Sequence, residues 1–141
     1  MASSFARNAI VLGLLCAIGP FAIDMYLPAL PSIAADLGAS TAATQMSLMS
    51  FFAAFGLCQL VYGPAADMLG RKPPIYFGLT VFVLASVGCA FAPSIEWLIA
   101  FRFVQGIGAC ASMVIPRAII RDLHTGVEAT RLMAQIGRAH V

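Results

Sequence analysis

Charge is what this 141-residue chain has least of: it holds 8 Lys and Arg and 6 Asp and Glu, and charged residues make up only 10% of it. An ordinary soluble domain carries about 25%. With 61% of the residues hydrophobic, a water-soluble fold could not hide its apolar surface and keep a wettable exterior. Histidine is nearly absent, at 2 residues, and no cluster of His, Cys or paired carboxylates has the spacing of a metal centre or an acid–base pair. An enzyme, a metal site and a bound cofactor are therefore not expected. The 4 cysteines, Cys16, Cys58, Cys89 and Cys110, are scattered one to each apolar stretch, which reads as small packing residues. The formal net charge of +2 gives no sign of nucleic-acid binding.

What the chain does have is length of apolar sequence. A membrane helix needs roughly 20 mostly apolar residues, because it rises 1.5 Å per residue through a hydrocarbon layer about 30 Å thick. Four segments qualify: residues 8–27, 44–66, 74–92 and 97–116. Short connectors with breaker residues separate them: "LPALPSIAADLGAS", "DMLGRKP" and "APSIE". The apolar residues run all round each segment, so these are bundle or lipid-facing helices rather than amphipathic surface helices. The fold class expected is an all-α membrane protein with four transmembrane helices. Arg7, the Arg71–Lys72 pair, and Arg117, Arg121 and Arg131 alternate with connectors that hold Asp36 and Glu96 but no Lys or Arg. The positive-inside rule then places the N-terminus in the cytoplasm, with Tyr26 and Trp97 at the outer interface and Tyr62 and Tyr76 at the inner one. A cleaved signal peptide is the lesser reading of the first segment, since three further spans would follow regardless.

The last six residues, "IGRAHV", stand apart. They resemble the in-frame translation of a widely used sequencing-library adapter. The expectation is that residues 1–135 form a partial N-terminal transmembrane domain and that residues 136–141 are a non-native tail. Arg138 and His140 carry no functional weight on that reading, and His124 is a solvated loop residue.

Two intramembrane charges carry the chemistry. Asp24 lies at the end of the first span, just before Pro28 and Pro31, and Arg102 lies in "IAFRFVQGIGACASM" of the fourth. A charge deep in a bilayer costs about 2.5–3.5 kcal/mol on insertion scales and faces a cavity or a partner. A carboxylate at a helix C-terminus also meets the negative end of the helix dipole. Asp24 and Arg102 lie at matching depths, both roughly 6–8 Å below the outer surface at 1.5 Å per residue. They are expected to meet, directly or through water, in a shared polar cavity, with independent snorkelling as the alternative. Gln105, one turn from Arg102, is expected to face the same interior. The small residues Gly106 and Cys110, and Gly108 and Ser112, recur at the four-residue spacing that lets helix backbones approach.

The inner connector "GPAADMLGRKPP" runs from Gly63 to Pro74. Gly70 is the residue that can take a positive φ in so short a turn. Asp67, Arg71 and Lys72 form a compact charge cluster, and Asp122, just beyond the fourth span, lies on the same side of the membrane and can pair with Arg71.

This connector resembles the signature loop between helices two and three of the major facilitator superfamily, whose core is Gly-x-x-x-Asp-x-x-Gly-Arg-Lys. "RFVQGIGACASMVIPRAIIRDL" resembles the helix-four motif of that superfamily's proton-coupled drug antiporters. "DMYLPALPSIAADL" is similar to the end of helix one in its Bcr/CflA drug-resistance branch. Met68 and Ala65 depart from the usual loop, where Arg and Leu are common. The resemblance implies a twelve-helix inner-membrane transporter built from two six-helix halves, acting as a monomer at full length. It implies export of small, lipophilic, drug-like molecules in exchange for protons. Asp24, Arg102 and Gln105 would belong to the proton-coupling and substrate cavity. Gly63, Asp67, Gly70, Arg71, Lys72 and Asp122 would form a cytoplasmic latch, and Gly106 and Gly108 would pack helices. A major-facilitator transporter of another small molecule, a sugar or metabolite, and a complete four-helix membrane protein remain as alternatives.

Overall fold

The computed structural model describes residues 2–123; the tail at 136–141, Arg131 and His124 lie outside the described residues. It contains α1 (Ala2–Asp24), a 3-10 turn (Leu27–Ala29), α2 (Leu30–Asp36), α3 (Thr41–Leu69), α4 (Lys72–Ala90) and α5 (Ile95–Leu123). Four of these helices are long and apolar enough to cross a membrane.

Helix ends follow local chemistry. Pro28 has no N–H to give the carbonyl of Asp24 four residues back, and its ring crowds that carbonyl, so α1 stops there. The last turn tightens instead: the Tyr26 amide bonds the Ile23 carbonyl at 3.1 Å rather than that of Ala22. Ser40 caps α3 by accepting the Ala43 amide at 3.1 Å, and Gly70 ends it at φ 84°. Pro73 and Pro74 sit in the first turn of α4, where no N–H is needed.

Three sequence expectations are corrected. The connector after the first span is partly ordered as the 3-10 turn and α2, both on prolines that suit a helical first turn. The motif expected as a loop from Gly63 is helical to Leu69, leaving only Gly70 and Arg71 between α3 and α4. The fourth helix does not stop at Pro116 but runs on to Leu123. Burial of Ile115 and Ile120 on either side of that proline holds the helix together across the lost hydrogen bond.

α5 is the centre of the bundle. It packs against α3, α4 and α1, whereas α3 and α4 meet each other far less. Of its apolar stretch 56% is buried, against 17–22% in the other three, so those three present apolar flanks such as Leu14, Leu60 and Leu84 outward. Two glycines make the centre possible. A Cβ on Gly106 would run into the Phe51 carbonyl of α3. A Cβ on Gly108 would lie 2.5 Å from both the Gly78 carbonyl and the Phe82 nitrogen of α4. Around them Tyr62, Ala66, Cys110, Ala111 and Ile115 form the buried core, and Leu12 of α1 closes on Ile120. All four cysteines are free, with Cys16 and Cys110 buried.

Candidate functional site

The polar heart of the bundle is Arg102 on α5, which is only 2% exposed. Its Nη1 donates to Gln105 Oε1 at 2.7 Å, and Gln105 Nε2 donates in turn to Ser86 Oγ of α4 at 2.7 Å. Ser86 Oγ donates to the Phe82 carbonyl at 2.7 Å. A longer contact of 3.5 Å runs from Nη1 to the Ala22 carbonyl, the acceptor that the tightened end of α1 leaves free. The two faces of the guanidinium are covered by Tyr26, with its ring centroid 3.9 Å away, and by Phe51 at 4.6 Å. The Tyr26 hydroxyl is bonded to Ser47 Oγ at 2.5 Å, and Ser47 Oγ donates to the Thr44 carbonyl at 2.5 Å. Ser47 has one proton, so Tyr26 is the donor of the pair.

These contacts explain how a guanidinium stays charged here without a carboxylate. The C-terminal carbonyls of α1 carry the negative end of its dipole, two aromatic faces add cation–π attraction, and Gln105 supplies a neutral acceptor.

The expected meeting of Asp24 with Arg102 does not occur. Asp24 is exposed, and its carboxylate makes no ion pair among the described residues. The reason is helical phase. Arg102 lies against Ala22 and Tyr26, four residues apart on one side of the turn. Asp24 falls between them, about 200° round the axis. Matching depth was correct as arithmetic and insufficient as geometry.

Tyr26, Ser47, Phe51 and Ser86 were missed as site residues. Tyr26 reads from sequence as an interfacial aromatic, yet it stacks on Arg102. A signal exists for Ser47 alone: Thr44, Ser47 and Ser50 recur every three residues, a polar stripe along one side of α3. Ser50 Oγ reaches across to the Ile99 carbonyl of α5 at 3.0 Å.

The second cluster lies at the other end of the bundle. Arg71 Nη1 meets Asp67 Oδ1 at 2.8 Å, and Arg71 Nε donates to Asp122 Oδ2 at 2.9 Å. The hydrogen bond to Asp122, ahead of the weaker influence of Asp67, holds the Arg71 guanidinium above its ordinary range. The three side chains tie the α3–α4 turn to the end of α5, beside a cavity of about 380 Å³ lined by Gly63, Asp67, Arg71, Arg117 and Arg121. Glycine is not demanded at Gly63 by this packing, since no atom lies within 4 Å of a Cβ built there. Lys72 begins α4 and takes no part in the ion pairs. The carboxylates of Asp67 and Asp122 are 60% and 47% exposed, and pairs so open contribute at most about 1 kcal/mol each. Removing Asp122 as Asp122→Asn is accordingly expected to lower stability by less than about 1 kcal/mol, as read from thermal unfolding in detergent.

A helical bundle with a buried arginine beside a broken helix defines a multi-pass membrane protein with a polar interior. Residues 12–137 match the Major Facilitator Superfamily. The chain is 43% identical over 126 residues to the uncharacterized MFS-type transporter YdgK of Bacillus subtilis, covering 89% of this chain and 31% of that protein. It is 43% identical over 103 residues to the multidrug resistance protein MdtL of Escherichia coli, covering 73% of this chain and 26% of that one. It is 37% identical over 127 residues to the bicyclomycin resistance protein homolog of Haemophilus influenzae, covering 90% and 32%. The chain belongs to the major facilitator superfamily of multi-pass membrane transporters. It spans about a third of the length of these relatives or less.

Proposed function

We propose that the chain works as part of a longer proton-coupled exporter of small, lipophilic antibiotic-like molecules. In that reading residues 1–135 contribute to its N-terminal half, residues 136–141 are not native, the whole transporter is a monomer, and it performs no enzymatic chemistry. The observation that carries the reading is the almost fully buried Arg102, held beside the break in α1 with no carboxylate partner among the described residues. A structural helix bundle has no use for so costly a charge. The names of the relatives, multidrug and bicyclomycin resistance, supply the cargo class.

Asp24 is the proton carrier in this scheme and Arg102, with Gln105, is the substrate-side charge. The two act on opposite sides of one helical turn. Protonation of Asp24 and occupation of Arg102 therefore bias the same element, the segment that breaks at Pro28, and a ligand or proton that favours one of its arrangements shifts the population of the other. Asp67, Arg71 and Asp122, with the Gly70 turn, act as the latch on the cytoplasmic side. Ion pairs this weak are suited to breaking once per cycle.

The deciding experiment uses the complete transporter in a drug-sensitive host and in inside-out vesicles. Asp24→Asn is expected to abolish drug-driven proton movement and to lower resistance at least about 10-fold, with membrane levels unchanged. Full efflux by that variant would falsify the coupling role. Proton movement driven by a sugar or metabolite, and by no drug, would reassign the cargo.

A further inference from the structure

Ala65 stands where the usual loop motif carries Leu, and its small side chain has a structural consequence. It lines a groove of about 430 Å³ between α3 and α4, with Ile107 of α5 contributing from behind. Cys58, Val61, Ala65 and Leu69 follow one another at three- and four-residue spacing along one face of α3, and Phe77 of α4 forms part of the other wall. No charged side chain lines the groove among the described residues. It opens to the outside of the bundle, since Val61, Leu69 and Phe77 are all exposed. From Cys58 to Leu69 it runs about 16 Å at 1.5 Å per residue, roughly one leaflet of a hydrocarbon core about 30 Å thick. One lipid acyl chain has that reach and that chemistry.

The mouth of the groove is basic. Lys72 begins α4 beside Pro73 and Pro74, which line the groove. It is exposed, and no carboxylate oxygen lies within 4 Å of its amine among the described residues. Arg71, its neighbour, is committed to Asp67 and Asp122. Asp67 itself lies about 200° round α3 from Ala65, on a different face. Tyr76, one turn on from Lys72 and also exposed, adds an amphipathic ring of the kind that sits among lipid headgroups.

We propose that this groove holds one acyl chain of an anionic phospholipid, with the lipid phosphate on Lys72. Phosphatidylglycerol carries an uncompensated negative charge for the ammonium to meet. Phosphatidylcholine offers the same chains, but its phosphate is paired with its own quaternary ammonium. The inference concerns the lipid neighbour of the protein and holds whatever cargo the transporter carries.

The test maps lipid contact directly, without transport. The complete protein is placed in phosphatidylcholine vesicles containing a trace of phosphatidylglycerol with a diazirine at mid-chain, irradiated, and digested for peptide mass spectrometry. A matched series carries the same diazirine chain on phosphatidylcholine. Adducts on residues 58–77, as a share of all adducts on the protein, are expected to be about 5-fold more abundant with phosphatidylglycerol, the factor one basic residue supplies at an anionic headgroup. Lys72→Gln should bring the two lipids within about 2-fold of each other. Ala65→Leu, which restores the common loop residue and fills the groove, should cut adducts there at least about 3-fold for both lipids.

Absence of adducts on residues 58–77 in the wild type, as when another segment of the chain or a second copy fills the groove, overturns the site. Equal labelling by the two lipids, or a preference that survives Lys72→Gln, overturns the headgroup contact. Undiminished adducts in Ala65→Leu overturn the groove, and should that variant fail to fold, the wild-type map decides. Because no efflux is measured, loss of the export reading leaves this result standing, and the reverse also holds.

Discussion

Arg102→Met in the complete transporter is expected to stop export while leaving the helices assembled. Removing one partner of a buried ion pair strands the other charge, but among the described residues Arg102 has no such partner to strand. Methionine fills a similar apolar volume between Tyr26 and Phe51. Exchange of buried charges for apolar residues is often neutral or stabilising by about 1–4 kcal/mol. Against this stands the loss of the bond to Gln105, whose unsatisfied oxygen costs about 1–3 kcal/mol. The two effects nearly cancel, so the melting temperature in detergent should change little. Efflux, by contrast, should fall at least about 100-fold, since a desolvated charge is worth far more than one in water. Arg102→Lys separates charge from shape. It keeps the positive charge but replaces a planar fork with a compact ammonium, and an intermediate loss of about 10-fold is expected. Wild-type efflux by Arg102→Met would remove the arginine from the mechanism.

The second large effect concerns assembly. Gly108→Ala would set a methyl group 2.5 Å from the Gly78 carbonyl and the Phe82 nitrogen and 2.8 Å from the Phe82 Cα. All of these are backbone atoms, so no rotamer change relieves the clash and α4 must move away from α5. A destabilisation of about 3 kcal/mol is expected, at the upper end for overpacking. Gly13→Ala and Gly56→Ala are the controls. Both positions are helical and a Cβ there meets nothing within 4 Å, so alanine should stabilise by up to about 1 kcal/mol through helix propensity. Thermal unfolding of the three variants in one detergent gives the comparison. Equal stability for Gly108→Ala and wild type would mean that α4 and α5 do not pack as described.

The two predictions draw on different kinds of information. The interior placement of Arg102 was legible in the sequence, because a lone basic residue inside an apolar span is costly wherever it faces lipid. So was the pairing of Arg71 with Asp122, since the positive-inside rule puts both at one membrane face and a short turn leaves them little room to part. Even the glycines were visible as a four-residue pattern. Which helix each one meets was not, because that depends on how α5 is rotated among its neighbours.

Hydropathy and a fixed rise per residue therefore determined the number of membrane-capable helices and the position of each charge along them. Rotation about each helix axis was decided only in three dimensions, by which small residues of α5 let which backbone approach. That is why Asp24 and Arg102 share a depth and do not touch, and why Tyr26, an ordinary interfacial aromatic on paper, stacks on the buried arginine. Burial on both sides of Pro116 likewise outweighed a proline that reads locally as a stop. Depth is a sum along one chain segment, whereas rotation is settled by contacts among several.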